Sequence, residues 1–438
     1  MNLRFLTASI LWILTMLASA NDGVFYVNGN QIVPLQETDV AVTKEVLTIS
    51  IQDDGYATVD VLYEFTNRGA AKVVDVGFEA SAPYNTGDKL DKMGKHPYIY
   101  DFTVEMNGTK LPIRNYVVHH SSEDEPTDFV PLDLNQWRDI KDTDDALSGI
   151  INKQTQENID YSYAYCFKAN FKEGKNVVHH TYRYMMSGGI YNHFGIPYWL
   201  KPAMRWANHQ IDDFTLRIKA EKTAKQFCIA KDPMWSAAQW RLAEGTGKMH
   251  VVNGGYDMEY YEFSLRNGTY EWHAKNFRPT DDIHIDSAEG ALFSREDFKL
   301  GRFYDRTAPM NMLVPYEMME ETDDDPRIPA NTTTNGIPNS RILRNLPYAN
   351  RGYVFKDQKL AAYFKSLWWY MPDPNWNQDT SDFTEEERKL VQVYYSTDFG
   401  DKKQAAASLG MTLPALYQRI HKIKKKLKAA EENQNSEP

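Results

Sequence analysis

Cysteine is nearly absent: 438 residues carry only Cys166 and Cys228. With no CxxC pair and no Cys/His run at ligand spacing, nothing in the sequence has the form of a structural zinc site. Also missing are HExxH, GxSxG and a Gly-rich loop between a strand and a helix, so the commonest peptidase, hydrolase and phosphate-binding signatures are excluded. The one long apolar run, at the N-terminus, is shorter than the roughly 20 residues that span a bilayer, and no later run reaches them. Positive charge is in deficit, 49 Lys and Arg against 60 Asp and Glu, and the net −11 argues against nucleic-acid binding along the whole chain. The length suffices for two or three domains, each with its own core.

What is present begins with an address. Met1-Asn2-Leu3-Arg4 precedes the apolar run Phe5 to Leu17, and Ala18-Ser19-Ala20 supplies small residues before Asn21. This is the layout of a secretory signal peptide over residues 1–20, cleaved after Ala20. The expected destination is the periplasm or cell surface of a Gram-negative bacterium, with no transmembrane segment in the mature chain. The alternative is an uncleaved anchor. In an oxidising compartment Cys166 and Cys228 favour a disulfide. Their settings, YAYCF and QFCIA, equally suit buried free thiols acting as small hydrophobes.

Residues 21–310 read as β-sandwich, one large or two stacked, and the fold class is mainly β. Leu47, Ile49 and Ile51 alternate, Asp53-Asp54-Gly55 turns, and Ala57, Val59, Val61, Tyr63 and Phe65 alternate again. Asn67-Arg68-Gly69 leads into Val74, Val76 and Phe78. Asn107-Gly108 and Asn267-Gly268 each stand between alternating runs and predict hairpins. Residues 118–175 read as an acidic insertion with a polar helical stretch near Ala146 to Asn158. Paired histidines at 119 and 120, and at 179 and 180, invite a metal reading, but neighbours on a strand point to opposite faces. No metal and no cofactor is expected. Trp137, Trp199, Trp206, Trp235, Trp240 and Trp272 could stack sugars, although core packing explains most of them. Asn21-Asp22, the EVLTI run 45–49, the YEFTN run 63–67, Tyr198-Trp199-Leu200 and Asn276-Phe277-Arg278-Pro279 together resemble a bacterial domain of unknown function, number 4424.

An acidic linker follows at 311–340, rich in Asp, Glu, Pro and Thr. Residues 341–382 then concentrate aromatics. Ile342, Leu343, Leu346 and Ala349 predict a helix from near Ser340 that ends at Gly352, and Lys356-Asp357-Gln358 opens a second carrying Leu360, Tyr363 and Phe364. Arg344-Asn345, Tyr348, Ala349, Gly352, Phe355, Leu360, Tyr363, Phe364, Trp369, Tyr370 and Pro372 resemble the pattern of the YARHG domain, a module of exported bacterial proteins. Asn350 and Arg351 stand where that family usually has Arg and His. The resemblance implies an extracellular or envelope setting and assigns no chemistry.

Three adjacent large rings at 368–370 cannot all enter one small core. Arg344, Tyr348, Asn350, Arg351, Trp368, Trp369 and Tyr370 are therefore the candidate surface for an envelope glycan or polymer, with another envelope protein as a further partner. On this reading Arg351 and Trp368 can be replaced by Ala without loss of folding. Residues 383–430 form a basic helical tail before a disordered end at 431–438. Its Ala405-Ala406, Leu409-Gly410-Met411 and 416–420 resemble a Fis-type helix-turn-helix. Gln418, Arg419, Lys422, Lys424, Lys425 and Lys426 would meet nucleic acid if the tail were cytoplasmic, or an anionic polymer outside. Non-enzymatic binding in the envelope is the leading expectation. A membrane-tethered DNA-binding regulator and a glycan hydrolase built on a carboxylate pair stand as alternatives.

Overall fold

The computed structural model of the protein describes residues 30–36, 38–83, 90–119, 130–139, 150–188, 194–235, 239–254, 258–288, 333–383, 387, 388 and 391, with 412, 414, 415, 417, 418 and 421 of the tail. They belong to two compact units, residues 1–296 and 297–438. The expected signal peptide and most of the expected linker lie outside the described residues.

The first unit is mainly β, with one short 3-10 helix at Lys201–Arg205. Its first strands are β1 (Val33–Pro34), β2 (Val40–Ile51), β3 (Tyr56–Asn67), β4 (Lys72–Ser81), β5 (Ile99–Met106), β6 (Thr109–Lys110), β7 (Arg114–His119) and β8 (Val130–Pro131). Three short strands, β9 (Trp137–Asp139), β10 (Ile150–Asn152) and β11 (Asn158–Ile159), make a small sheet of their own. Long strands return with β12 (Ser162–Phe171), β13 (Gly174–Met185), β14 (Gly195–Tyr198), β15 (Ile211–Ala220), β16 (Lys225–Ala230), β17 (Trp240–Asn253), β18 (Glu259–Phe277) and β19 (Ile283–Ser287).

A five-stranded sheet, β1-β4-β12-β7-β8, packs on an eleven-stranded sheet ordered β14-β19-β16-β18-β15-β2-β3-β13-β5-β6, with β17 added beside β18. One continuous core from Ile32 to Ile285 lies between them. The first unit is therefore mainly β and built on a single core. The two halves of the sequence are joined in the large sheet by β2 and β15, its parallel pair, in register from Phe214 opposite Glu45 to Ala220 opposite Ile51. Period-two alternation sets the interior, with Leu47, Ile49 and Ile51 of β2 and Ala57 to Phe65 of β3 buried at every second position. Trp206, Trp235, Trp240 and Trp272 are core residues, while Trp137 and Trp199 are half-buried.

Several local expectations change in the fold. Asn107-Gly108 does turn β5 into β6, both residues at positive φ. Asn267-Gly268 does not turn at all: β18 runs straight through it for 19 residues. Before this point β16 pairs Tyr260 to Leu265, and after it β15 pairs Gly268 to Phe277. A Cβ on Gly268 would lie 2.4 Å from the Glu244 carbonyl oxygen, so the glycine admits the bulged neighbour β17. Asn67-Arg68-Gly69 is a corner between sheets, where the Asn67 carboxamide accepts from the Gly69 N–H and donates to the Ala70 carbonyl. The region expected as an insertion at 118–175 includes β12, which lies between β4 and β7 in the five-stranded sheet. Of the helical stretch expected near 146–158, the described part is the β10–β11 strand pair with its turn.

Cys166 and Cys228 are not joined, which corrects the expected disulfide. Tyr165 and Phe167 enter the core on either side of Cys166, and Phe227 and Ile229 do so around Cys228. Both thiols therefore project from the outer faces of different sheets, the wrong direction for a bond across the sandwich. Burial, and secondarily Asp75, push the Cys166 thiol up to about 11. Unfolded protein should titrate two thiols without reductant; a count of zero that reduction restores to two would contradict this arrangement.

Candidate functional site

The described part of the second unit is organised around the aromatic stretch. Thr333–Thr334 (β20) and Ile337–Pro338 (β21) form a hairpin that places Ile337 in the module's core, so this core reaches back into the stretch read as linker. Helices α1 (Asn339–Leu343) and α2 (Leu346–Asn350) replace the single helix expected before Gly352. Pro347 in the first turn of α2 has no N–H to continue α1, and Asn345 caps the break by donating to the Arg341 carbonyl. Gly352 sits at φ +83° and ends α2 as its sequence position suggests. Helix α3 (Gln358–Ser366) starts at Asp357, whose carboxylate accepts from the Leu360 N–H at 3.0 Å and from Arg341.

Leu360, Tyr363 and Phe364 face inward from α3 and meet Ile342, Leu346, Ala349 and Phe355. Phe355 stacks on Phe364 with centroids 4.4 Å apart. Trp369 and Tyr370 are buried in the same core, and the Tyr370 hydroxyl donates to the Tyr353 carbonyl at 2.6 Å.

Arg351 is a structural clasp. Its side chain is 1% exposed, and its terminal nitrogens donate to both oxygens of equally buried Glu387 at 3.0 and 2.8 Å. Its Nε donates to Asp382 at 3.2 Å and Nη1 to the Pro347 carbonyl at 2.8 Å, while the guanidinium lies 4.2 Å over the Phe383 ring. Arg351 thus ties α2 to a segment more than thirty residues on, and the expectation that it contacts a ligand is corrected. Asn350 is also buried, with its Oδ1 lacking a partner among the described residues. Four of the seven expected surface residues, Asn350, Arg351, Trp369 and Tyr370, therefore belong to the interior. Arg344, Tyr348 and Trp368 remain half-buried.

Around Tyr348 the chain assembles a patch that the sequence reading missed. After Met371 the loop returns along Gly352, where Asp373 N–H donates to the Gly352 carbonyl at 2.7 Å. That return brings Trp376 within 6.4 Å of Tyr348 and 6.0 Å of Tyr353, and the two tyrosines are 6.1 Å apart, all edge to face. Each of the three rings is half-buried and keeps part of its surface at solvent. Burial raises the Tyr348 phenol above its usual value, with the charges of Arg344 and Arg351 acting in the opposite sense. Ring faces beside a guanidinium can hold the C–H face of a sugar and a nearby carboxylate. The signal for Trp376 was its place in Pro374-Asn375-Trp376-Asn377, a large ring in a turn with no apolar neighbour to bury it.

In the first unit His179 points outward to Asp60 at 3.1 Å, and His180 points into the core. The strand geometry thus separates the pair; His120 lies outside the described residues. Of the expected tail contacts, Gln418 is exposed, while Arg419, Lys422, Lys424, Lys425 and Lys426 lie outside the described residues.

Residues 318–397 match the YARHG domain family. No curated protein matches the chain. Among solved structures, a proposed nutrient binding protein from Legionella pneumophila is 17% identical, with a TM-score of 0.43, covering 86% of this chain and 99% of its own. An M1 zinc metallopeptidase from Deinococcus radiodurans is 10% identical at a TM-score of 0.21, over 58% of this chain and 43% of the peptidase. An aminopeptidase N family protein from Idiomarina loihiensis is 13% identical at 0.21, over 56% and 29% respectively.

Proposed function

We propose that this protein is exported to the bacterial envelope and binds an anionic glycan there without chemical turnover, through the Tyr348, Tyr353 and Trp376 rings of its YARHG domain. The observation that carries the reading is the set of three mutually edge-packed, half-buried rings gathered by the Gly352–Asp373 contact. Fixed rings lose little conformational freedom on binding and offer apolar faces to the axial hydrogens of a pyranose. Arg344, close enough to act on the Tyr348 phenol, supplies the positive charge for a carboxylate. The leader-like residues Met1 to Ala20 support export, and a phosphatase fused after Pro438 should be active only outside the cytoplasm.

The binding test uses full-length protein and isolated cell envelopes. Trp376→Ala, combined with Arg344→Gln, should reduce retention at least tenfold while leaving the circular dichroism spectrum unchanged. Tyr353→Ala should have a similar effect, and Lys365→Ala, on the exposed side of α3, should have none. Retention equal to the parent protein in the Trp376 variant would refute the proposed surface.

A further inference from the structure

Glu45 lies in the middle of the first unit's large sheet and is completely buried at 0% exposure. On either side of it in the sheet stand Tyr63 of β3 and Phe214 of β15. Tyr63, Tyr182 of β13 and Tyr198 of β14 form one electrostatic group with it, and all are buried. From the N-terminal side, Gln31 Nε2 donates to Oε1 at 2.9 Å, while Oε2 has no partner among the described residues. Tyr63, Tyr182 and Tyr198 are phenols, Phe214 is apolar and Gln31 is neutral. His180, on the same face of β13 as Tyr182, donates Nδ1–H to the Thr103 carbonyl and is held neutral by burial.

Among the described residues of these elements, no lysine, arginine or charged histidine faces this carboxyl. Removing an unpaired carboxylate from water costs several kcal/mol, so the charged form can exist here only if water reaches it. Burial accordingly raises the carboxyl well above its ordinary value, with no charged partner contributing.

The element best placed to admit water is the strap Asn30–Leu35. Most of its neighbours around Glu45 are ten- or twelve-residue strands within the sheet, whereas β1 offers a two-residue ladder to β4. The strap is otherwise held by single hydrogen bonds: Asn30 to the Tyr182 hydroxyl and the Glu79 carbonyl, Gln31 to Glu45, the Trp206 indole to the Ile32 carbonyl, and Leu35 to Asp75. We propose that Glu45, carried as the un-ionised acid, latches this strap over the sandwich interior, and that its ionisation releases the strap.

The sign follows from linkage. A carboxyl whose folded pKa is raised favours the closed strap fully below the ordinary value of 4.5 and loses that advantage as pH rises towards the folded value. Within that window the opening constant of the strap should rise about tenfold per pH unit.

Hydrogen exchange of residues 30–36 in the full-length protein tests this against Glu45→Gln. The amide can keep the bond from Gln31 and cannot ionise. The protection ratio of parent to Glu45→Gln should fall about tenfold per pH unit above 4.5, while strand β3 keeps its protection. A constant ratio from pH 5 to 9 would overturn the latch. Infrared spectra of the parent protein at pH 7 give a reading that needs no variant to fold: an un-ionised carboxylic acid band must be present, and its absence overturns the proposal. In Gln31→Leu the strap should lose at least tenfold in protection at pH 5; unchanged protection would also overturn it.

Discussion

Replacing Arg351 by methionine should unfold the YARHG module. The substitution removes the paired bonds that Arg351 makes to buried Glu387 and the donors it supplies to Asp382 and the Pro347 carbonyl. Breaking one side of a buried ion pair costs roughly 3–5 kcal/mol. A small core of this kind supplies a total of about the same size. Hydrogen exchange over residues 346–371 should therefore lose most of its protection, while the first unit keeps its own.

The double variant Arg351→Met with Glu387→Leu separates the two roles that Arg351 could have. With both charges gone, apolar side chains of similar volume occupy the same space, and much of the lost protection should return. If Arg351→Met alone left protection unchanged, the clasp would be a minor contact. The sequence reading led to the opposite expectation, that Arg351 is replaceable without loss of folding. The buried salt bridge reverses it.

Acid should destabilise the first unit well before its surface carboxylates protonate. His96 and His180 are both buried, and burial lowers each imidazole to about 4. His96 donates Nε2–H to the Ser81 carbonyl and accepts at Nδ1 from the Tyr98 N–H. His180 is wedged among Phe78, Phe102 and Tyr182, at centroid distances of 5.4, 4.7 and 5.1 Å. Neither environment offers a place for a second proton. In the unfolded chain both imidazoles protonate near 6.5, so their contribution is complete above that pH and is lost as pH falls towards about 4. Each is worth about 3 kcal/mol across the window.

His180→Phe keeps the ring packing and removes one of the two protonation sites. Denaturant unfolding between pH 4.5 and 7.5 should show the parent losing stability relative to this variant, about tenfold in the unfolding constant for each pH unit below 6.5. Parallel profiles would mean that His180 is not held neutral. Glu45 acts in the opposite direction, losing stability as pH rises, so it offsets part of the gain from the two histidines.

Where the sequence reading failed, the local signal was ambiguous. Asn267-Gly268 has the composition of a tight hairpin, but a strand bulge also needs backbone at positive φ and room for a close neighbour. Only the approach of β17 distinguishes the two. The period that places Leu47, Ile49 and Ile51 in the core also places Glu45 there, against the rule that carboxylates stay at the surface. Arg351 carried a legible motif position and an illegible partner, since Glu387 stands 36 residues away.

Sequence alone determined the β character of the first unit, the Asn107-Gly108 turn, the opening of a helix at Lys356-Asp357-Gln358 and the end of α2 at Gly352. Each follows from backbone sterics or from hydrogen bonds within a few residues. Tertiary structure alone decided that Arg351 is buried, that Trp376 meets Tyr348, that the two thiols face apart, and that Glu45 is enclosed by tyrosines. These depend on which distant strands and loops come together, and burial or charge pairing across that distance is a property of the folded chain.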